Sequence, residues 1–214
     1  DPKFIIILRH PIQRVISHYY WLRGKGLEFR SFKKAIEHDM NEDFRPGYHI
    51  KGHYKCYIQN SFYSKWISNY FDFFGKENVF VITNEYLKRE PLITVNSCFT
   101  FLGLTKLTDI RIINHNKSVH KNIPTWDRYI LHILFTVNDQ NILYNVKEKL
   151  VSEYIKTKYW KFHTKINQNR YLKNIPDISQ EDYIWLLSLL KEDIKELKQM
   201  LNYNFEEWSD LKRL

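Results

Sequence analysis

Asp1-Pro-Lys-Phe-Ile-Ile-Ile-Leu-Arg-His-Pro-Ile-Gln-Arg-Val-Ile-Ser-His-Tyr-Tyr20 decides how the rest of the chain is read. Phe4 to Leu8 is an uninterrupted apolar run, the pattern of a strand covered on both faces in a parallel sheet. Pro11 sits where a helix can begin, because its fixed φ and missing N–H cost nothing in a first turn. Ile12, Val15, Ile16, Tyr19 and Tyr20 then recur at helical spacing and form one apolar stripe, with Arg14 and Ser17 beside it. The strand-to-helix bend between them carries Arg9. Free N–H groups at a helix start favour negative charge, and a guanidinium offers a planar fork of donors suited to phosphate oxygens. The bland reading of the same residues is an Arg9 that pairs with a carboxylate and a Ser17 on a solvated helix face.

Lys3-x5-Arg9-x-Pro11-x2-Arg14-x2-Ser17-x-Tyr19 resembles the 3′-phosphate-binding segment of sulfotransferases that use 3′-phosphoadenosine 5′-phosphosulfate. In that family an Arg at a strand end and a Ser eight residues later hold the 3′-phosphate, and Arg9 and Ser17 match the spacing. The resemblance implies an α/β, P-loop-NTPase-like fold, with a parallel sheet flanked by helices and a helix-rich C-terminal half. Later landmarks stand in the family's order: Gly52-x-Tyr54, Tyr70-x-x-Phe73, Val79 to Glu85 with Leu87, Pro91, Phe101-Leu-Gly-Leu104, and a closing helix with Leu197, Leu201 and Trp208.

Composition bounds the reading without choosing it. A length of 214 residues suits a single domain over 1–214, and 43% hydrophobic with 27% charged residues is ordinary for a globular protein. No apolar run approaches a membrane span. The net charge of +9 attracts polyanions: nucleic acid, an acidic membrane surface, an acidic glycan or a charged nucleotide. Basic residues are scattered, with a modest cluster at Lys156, Lys158, Lys161 and Lys165, so nucleic acid is the weaker reading. Cys56 and Cys98 have no zinc spacing, and His49 and His53 sit beside Gly47 and Gly52, which disfavour a helical ligand pair, so no metal is expected. The two thiols fit either a disulfide or a reduced pair.

Along the chain, Ser31 caps a short helix to about Asp39, and Met40 to Lys55 reads as a long loop. Ile58, Phe62, Trp66, Tyr70 and Phe73 mark a broad-faced helix, and Val79 to Thr83 a second covered strand. Pro91 opens a helix that Gly103 stops. Helical patterns follow over Trp126 to Phe135 and Ile142 to Ile155. The clearest helix runs from Ser179, its N-cap, to Leu201, with Tyr183, Leu186, Leu187, Leu190, Ile194, Leu197 and Leu201 on one side.

The resemblance places a second phosphate loop at Asn114 to Lys121, where Lys117, Ser118 and Lys121 supply donors to the cofactor. Asn116-Lys-Ser118 also fits an N-glycosylation acceptor; a glycan would obstruct that loop, which favours the cytoplasm over a secretory lumen. Tyr48, His49, Lys51, His53 and Tyr54 gather aromatic and cationic groups for the acceptor, a hydroxyl or amine such as that of a sugar. The family's Gly- and Lys-containing loop for the 5′-phosphosulfate is missing, as is its base, and only two strands are convincing. Both deficits lead us to expect that an N-terminal portion is absent, with Asp1-Pro2 reading as an internal cut. His10, His18, His53 and Glu85 are conceivable bases, but no motif assigns the role, and Glu85 reads better as a helix-start or ion-pair residue. The expected activity is sulfuryl transfer releasing adenosine 3′,5′-bisphosphate. A non-catalytic nucleotide-binding scaffold is the rival, and a nucleic-acid-binding protein the third reading.

Overall fold

The computed structural model describes residues 2–24, 28, 30–41, 56–112, 126–127, 130, 153–166 and 178–211. The chain divides into two compact units, and the division falls inside the first helix. The first unit comprises residues 1–14, 60–116 and 179–214; the second comprises 15–59 and 117–178.

In the first unit, β1 (Phe4–Leu8) pairs in parallel with β2 (Val79–Thr83), in the register Phe4 to Val79 through Leu8 to Thr83. Among the described residues this is a helix-rich α/β arrangement around a two-stranded parallel sheet. Alternate side chains of a strand face opposite ways. Phe4 meets Tyr70 and Phe74 of α3 (Tyr63–Phe74), with ring centroids 5.2 and 4.4 Å apart. On the other face Phe80 stacks on Phe101 of α5 (Pro91–Leu102), at 5.3 Å. That cover falls on β2, and β1 departs from its expected burial on both faces: Ile5 and Ile7 are 38% and 55% exposed.

Thr83 caps α4 (Asn84–Arg89) by accepting from the Tyr86 N–H. Gly103 ends α5 at φ 75°, the left-handed conformation for which a glycine has no Cβ penalty. The long helix α7 (Gln180–Leu201) is capped as the sequence predicts, Ser179 Oγ accepting from the Asp182 N–H at 3.0 Å. Its Leu186, Leu190, Ile194 and Leu197 are buried, together with Ile12, Ile67 and Trp208.

The α3 start differs from the expected long helix. Ile58 is not helical, because Asp39 Oδ2 accepts the Ile58 and Gln59 N–H groups at 2.6 and 3.3 Å; a 3₁₀ turn, Gln59–Ser61, precedes the helix. Phe62 has no capping side chain, and Asp193 of α7 takes the role from a distance, accepting from the N–H groups of Tyr63 (2.8 Å) and Ser64 (3.1 Å) and from the Ser64 hydroxyl. Burial pushes the Asp193 carboxyl up, against the Ser64 and backbone hydrogen bonds that lower it. A raised folded-state value means the folded protein holds more protons than the unfolded chain above the ordinary carboxylate range. Stability from this group is therefore full below that range and declines as pH rises through the raised value. Asp193→Asn is expected to flatten that part of the pH–stability curve in urea titrations, and Asp193→Ala to cost about 1–2 kcal/mol through the lost cap.

The second unit holds the remainder of α1 (Pro11–Gly24) and α2 (Phe32–Asn41), which starts after Ser31 as expected and includes Met40. Val15, Ile16, Tyr19, Leu22, Phe32, Ala35, Ile36, Tyr57 and Ile58 are its buried apolar residues, with Tyr19 edge-on to Phe32 at 5.1 Å. Glu28 is fully buried and accepts from the Tyr57 hydroxyl (2.8 Å) and the Arg30 N–H (2.9 Å). Burial, first, and then the Glu28 charge push the Tyr57 phenol far up. Tyr57→Phe, which removes a donor from a buried carboxylate, is expected to cost about 1–3 kcal/mol in urea unfolding. The described helix near the end of this unit is α6 (Glu153–Ile166); the expected helices over 126–135 and 142–155 lie almost wholly outside the described residues. Cys56 and Cys98 are not joined in a disulfide, and each is half-buried.

Candidate functional site

At the end of β1 the chain leaves a buried Leu8, passes a half-buried Arg9 and a buried His10, and enters α1 at Pro11. The peptide joining Arg9 to His10 is held at both polar atoms. Tyr63 Oη donates to the Arg9 carbonyl at 2.9 Å, and the His10 N–H donates to Glu85 Oε1 at 3.2 Å. The other Glu85 oxygen accepts from Trp208 Nε1 at 3.1 Å. Glu85 thus lies in the first turn of α4, as the sequence suggests, and ties β1 to the C-terminal segment. Its oxygens are engaged in positioning backbone and indole, which removes it from the candidate bases.

His10 leaves that set too. It is 6% exposed, its Nε2 lies 3.0 Å from Asp210 Oδ1, and its Nδ1 accepts from the Gln13 N–H at 3.4 Å. Donation from Nε2–H to the carboxylate fits this pairing. By capping α1, His10 also takes an N–H that the sequence left open for an anion; Pro11 has none, so the helix start offers less than expected.

The cation at the bend is another matter. Among the described residues, no hydrogen bond or ion pair holds the Arg9 guanidinium, so the bland pairing with a carboxylate is not seen. Arg14 Nη1 donates to Ser61 Oγ at 3.2 Å, a supporting role within the same unit. Burial pushes the Tyr63 phenol up to about 12 despite the Arg14 and Arg9 charges, which lower it. Tyr63 therefore stays a neutral donor to the Arg9 carbonyl. Tyr63 and Ser61 carry no family signal in the sequence; their part emerges only from α3 lying against the strand end.

Ser17 belongs to the second unit, a turn and a half into α1, and is half-buried. Its hydroxyl makes no hydrogen bond to a described residue. Lys117, Ser118 and Lys121, and the acceptor candidates Tyr48, His49, Lys51, His53 and Tyr54, lie outside the described residues. No group of three or more His, Cys, Asp or Glu residues is arranged for a metal among the described residues.

No protein-family model matches the chain, and no curated protein sequence matches it. Among solved structures the chain is similar to a sulfotransferase from Alicyclobacillus acidocaldarius, at 18% sequence identity and a TM-score of 0.51. The alignment covers 97% of this chain and 57% of that one, so this chain spans little more than half of its structural neighbour. The likeness extends over nearly the whole sequence and is a likeness of fold: helix-rich α/β, of the sulfotransferase kind.

Proposed function

We propose that this chain is a sulfotransferase-like domain over 1–214 that binds 3′-phosphoadenosine 5′-phosphosulfate by its 3′-phosphate and serves sulfuryl transfer to a hydroxyl or amine acceptor. The observation that carries the reading is the Arg9 guanidinium, half-buried at a strand end and without a carboxylate partner among the described residues, on a peptide clamped by Tyr63 and Glu85. Leaving a cation unpaired in a polar-lined bend while fixing its backbone on both sides suits a ligand anion. The sulfotransferase fold of the structural neighbour supports the same reading.

In this reading Arg9 and Ser17 grip the 3′-phosphate, and Lys117, Ser118 and Lys121 close over it. Tyr48, His49, Lys51, His53 and Tyr54 face the acceptor, a sugar being one candidate. The acceptor oxygen or nitrogen attacks sulfur in line, the S–O bond to the nucleotide phosphate breaks, and adenosine 3′,5′-bisphosphate leaves with that electron pair. The acceptor proton passes to a base that this chain's described residues do not identify. Positioning and charge neutralisation supply most of the rate, as in phosphoryl transfer.

Calorimetric titration of the chain with adenosine 3′,5′-bisphosphate and with adenosine 5′-monophosphate tests the reading. The bisphosphate is expected to bind at least about tenfold tighter, since one charge-assisted contact set is worth ~1.5–3 kcal/mol. Equal affinities, or binding of neither, overturn it. A scaffold of the same fold would bind equally well and transfer nothing, so sulfuryl transfer to a panel of sugar, alcohol and amine acceptors separates the two.

A further inference from the structure

We propose that the outer face of α6 is a docking surface for an anionic lipid bilayer. The orientation of this helix within its own unit is set by one buried residue. His163 is 4% exposed, its Nδ1 lies 2.8 Å from Asp127 Oδ2, and Tyr159 donates to the other oxygen of the same, fully buried carboxylate. Tyr159 and His163 therefore define the inward side, flanked by half-buried Lys156 and Ile166.

Opposite them, Tyr154, Lys158, Lys161 and Lys165 follow one another at i, i+4, i+7 and i+11, all exposed. Lys158 Nζ lies 4.6 Å from the centre of the Tyr154 ring, which ties the row together at its start. No acidic residue occurs from Tyr154 to Ile166. Ile155 and Phe162, seven residues apart, form an apolar shoulder beside the lysines and are 48% and 50% exposed; Trp160 is 44% exposed.

Charge complementarity names the occupant's sign, and the apolar shoulder names its class. A row of lysines alone is a solvated face or a polyanion site. A nucleic-acid duplex or a sulfated glycan would neutralise the lysines and leave Ile155 and Phe162 in water, and a single strand, which stacks on aromatic rings, would still leave the aliphatic Ile155 unused. An anionic bilayer surface satisfies both, with ammonium groups among lipid phosphates and carboxylates and the Ile155 and Phe162 side chains at the acyl boundary. No described helix is long and apolar enough to cross a membrane, so the contact is one of lying on the surface.

The test is sedimentation of the whole chain with vesicles of phosphatidylcholine containing about one-third phosphatidylserine, against pure phosphatidylcholine. The chain is expected to partition onto the anionic vesicles only. Replacing Lys158, Lys161 and Lys165 together by Glu is expected to weaken partitioning by about 100-fold or more, at ~1 kcal/mol per lysine removed. Ile155→Ser with Phe162→Ser is expected to weaken it about tenfold at unchanged charge. All five positions are exposed, and unchanged circular dichroism checks that the variants fold; a Lys→Gln triple is the milder substitute. Equal binding to neutral vesicles, or an unaffected lysine triple, overturns the proposal. So does an Ile155/Phe162 variant that binds as tightly as the parent, which would leave a polyanion site for nucleic acid or glycan instead.

Discussion

Trp208→Ala is expected to lower the unfolding free energy by about 3–5 kcal/mol, the range for truncating a large buried aromatic residue. Trp208 is 1% exposed and lies against Phe205 with ring centres 4.2 Å apart and planes within 5°. Phe205 itself holds a positive φ of 52°, an unfavourable backbone for a bulky side chain, and is 1% exposed. The stacked pair keeps that conformation in place. Removing the indole also takes a donor from Glu85, whose other oxygen holds the His10 N–H at the end of β1. Trp208→Phe keeps most of the ring but not the donor, and its cost is expected at about 1–2 kcal/mol above the small packing loss. Urea unfolding of the three proteins measures both. A loss below about 1 kcal/mol for the alanine variant would show that the C-terminal segment does not depend on this residue.

Arg9→Ala is expected to weaken adenosine 3′,5′-bisphosphate by about 10- to 100-fold, or ~1.5–3 kcal/mol, while leaving adenosine 5′-monophosphate unchanged. Arg9→Lys is expected to restore only part of the loss, because an ammonium cannot make two parallel bonds to one phosphate. Thermal stability without ligand is expected to stay near that of the parent, since the guanidinium makes no hydrogen bond or ion pair to a described residue. That combination, lost affinity with retained stability, distinguishes a ligand cation from a structural one. If Arg9→Ala binds the bisphosphate like the parent, the 3′-phosphate assignment is wrong.

Local signals in the chain carried far in some places. Phe4 to Leu8 reads as a strand, and the apolar stripe Ile12, Val15, Ile16, Tyr19 and Tyr20 reads as one side of a helix; both hold in the structure, with the first four of the stripe buried and Tyr20 half-buried. Ser179 as a cap and Gly103 as a helix stop depend only on neighbours within four residues, which is why they are legible. Cover on both faces of β1 does not follow from its isoleucines, because an apolar run records preference for burial and not the presence of a partner. Exposure of Ile5 and Ile7 follows from where α5 lies.

The candidate site divides in the same way. Arg9 and Ser17 were visible from type and spacing alone, since a strand end, a proline and a helical stripe are all local features. Tyr63 and Ser61 were not, and Glu85 was visible only as a helix-start residue and not by its partners, because all three reach the bend from positions 52 to 76 residues away from Arg9 in the chain. The same holds for Asp193, which caps a helix 129 or 130 residues distant. The lysines of α6 form a modest cluster in the sequence, and only the burial of His163 against Asp127 sets Lys158, Lys161 and Lys165 on the outer side and Lys156 beside the inner one.

By itself, then, the order of residues determined the helix and strand types, the two local caps and the cation at the β1–α1 bend. Each of these follows from backbone preferences and side-chain period over a few residues. Tertiary structure alone decided which carboxylates hold backbone N–H groups, which histidine is buried as a partner and not offered as a base, and which apolar faces stay open. Those outcomes depend on contacts between segments far apart in the chain, where no periodicity or spacing rule applies and only the packed arrangement brings donor and acceptor within reach.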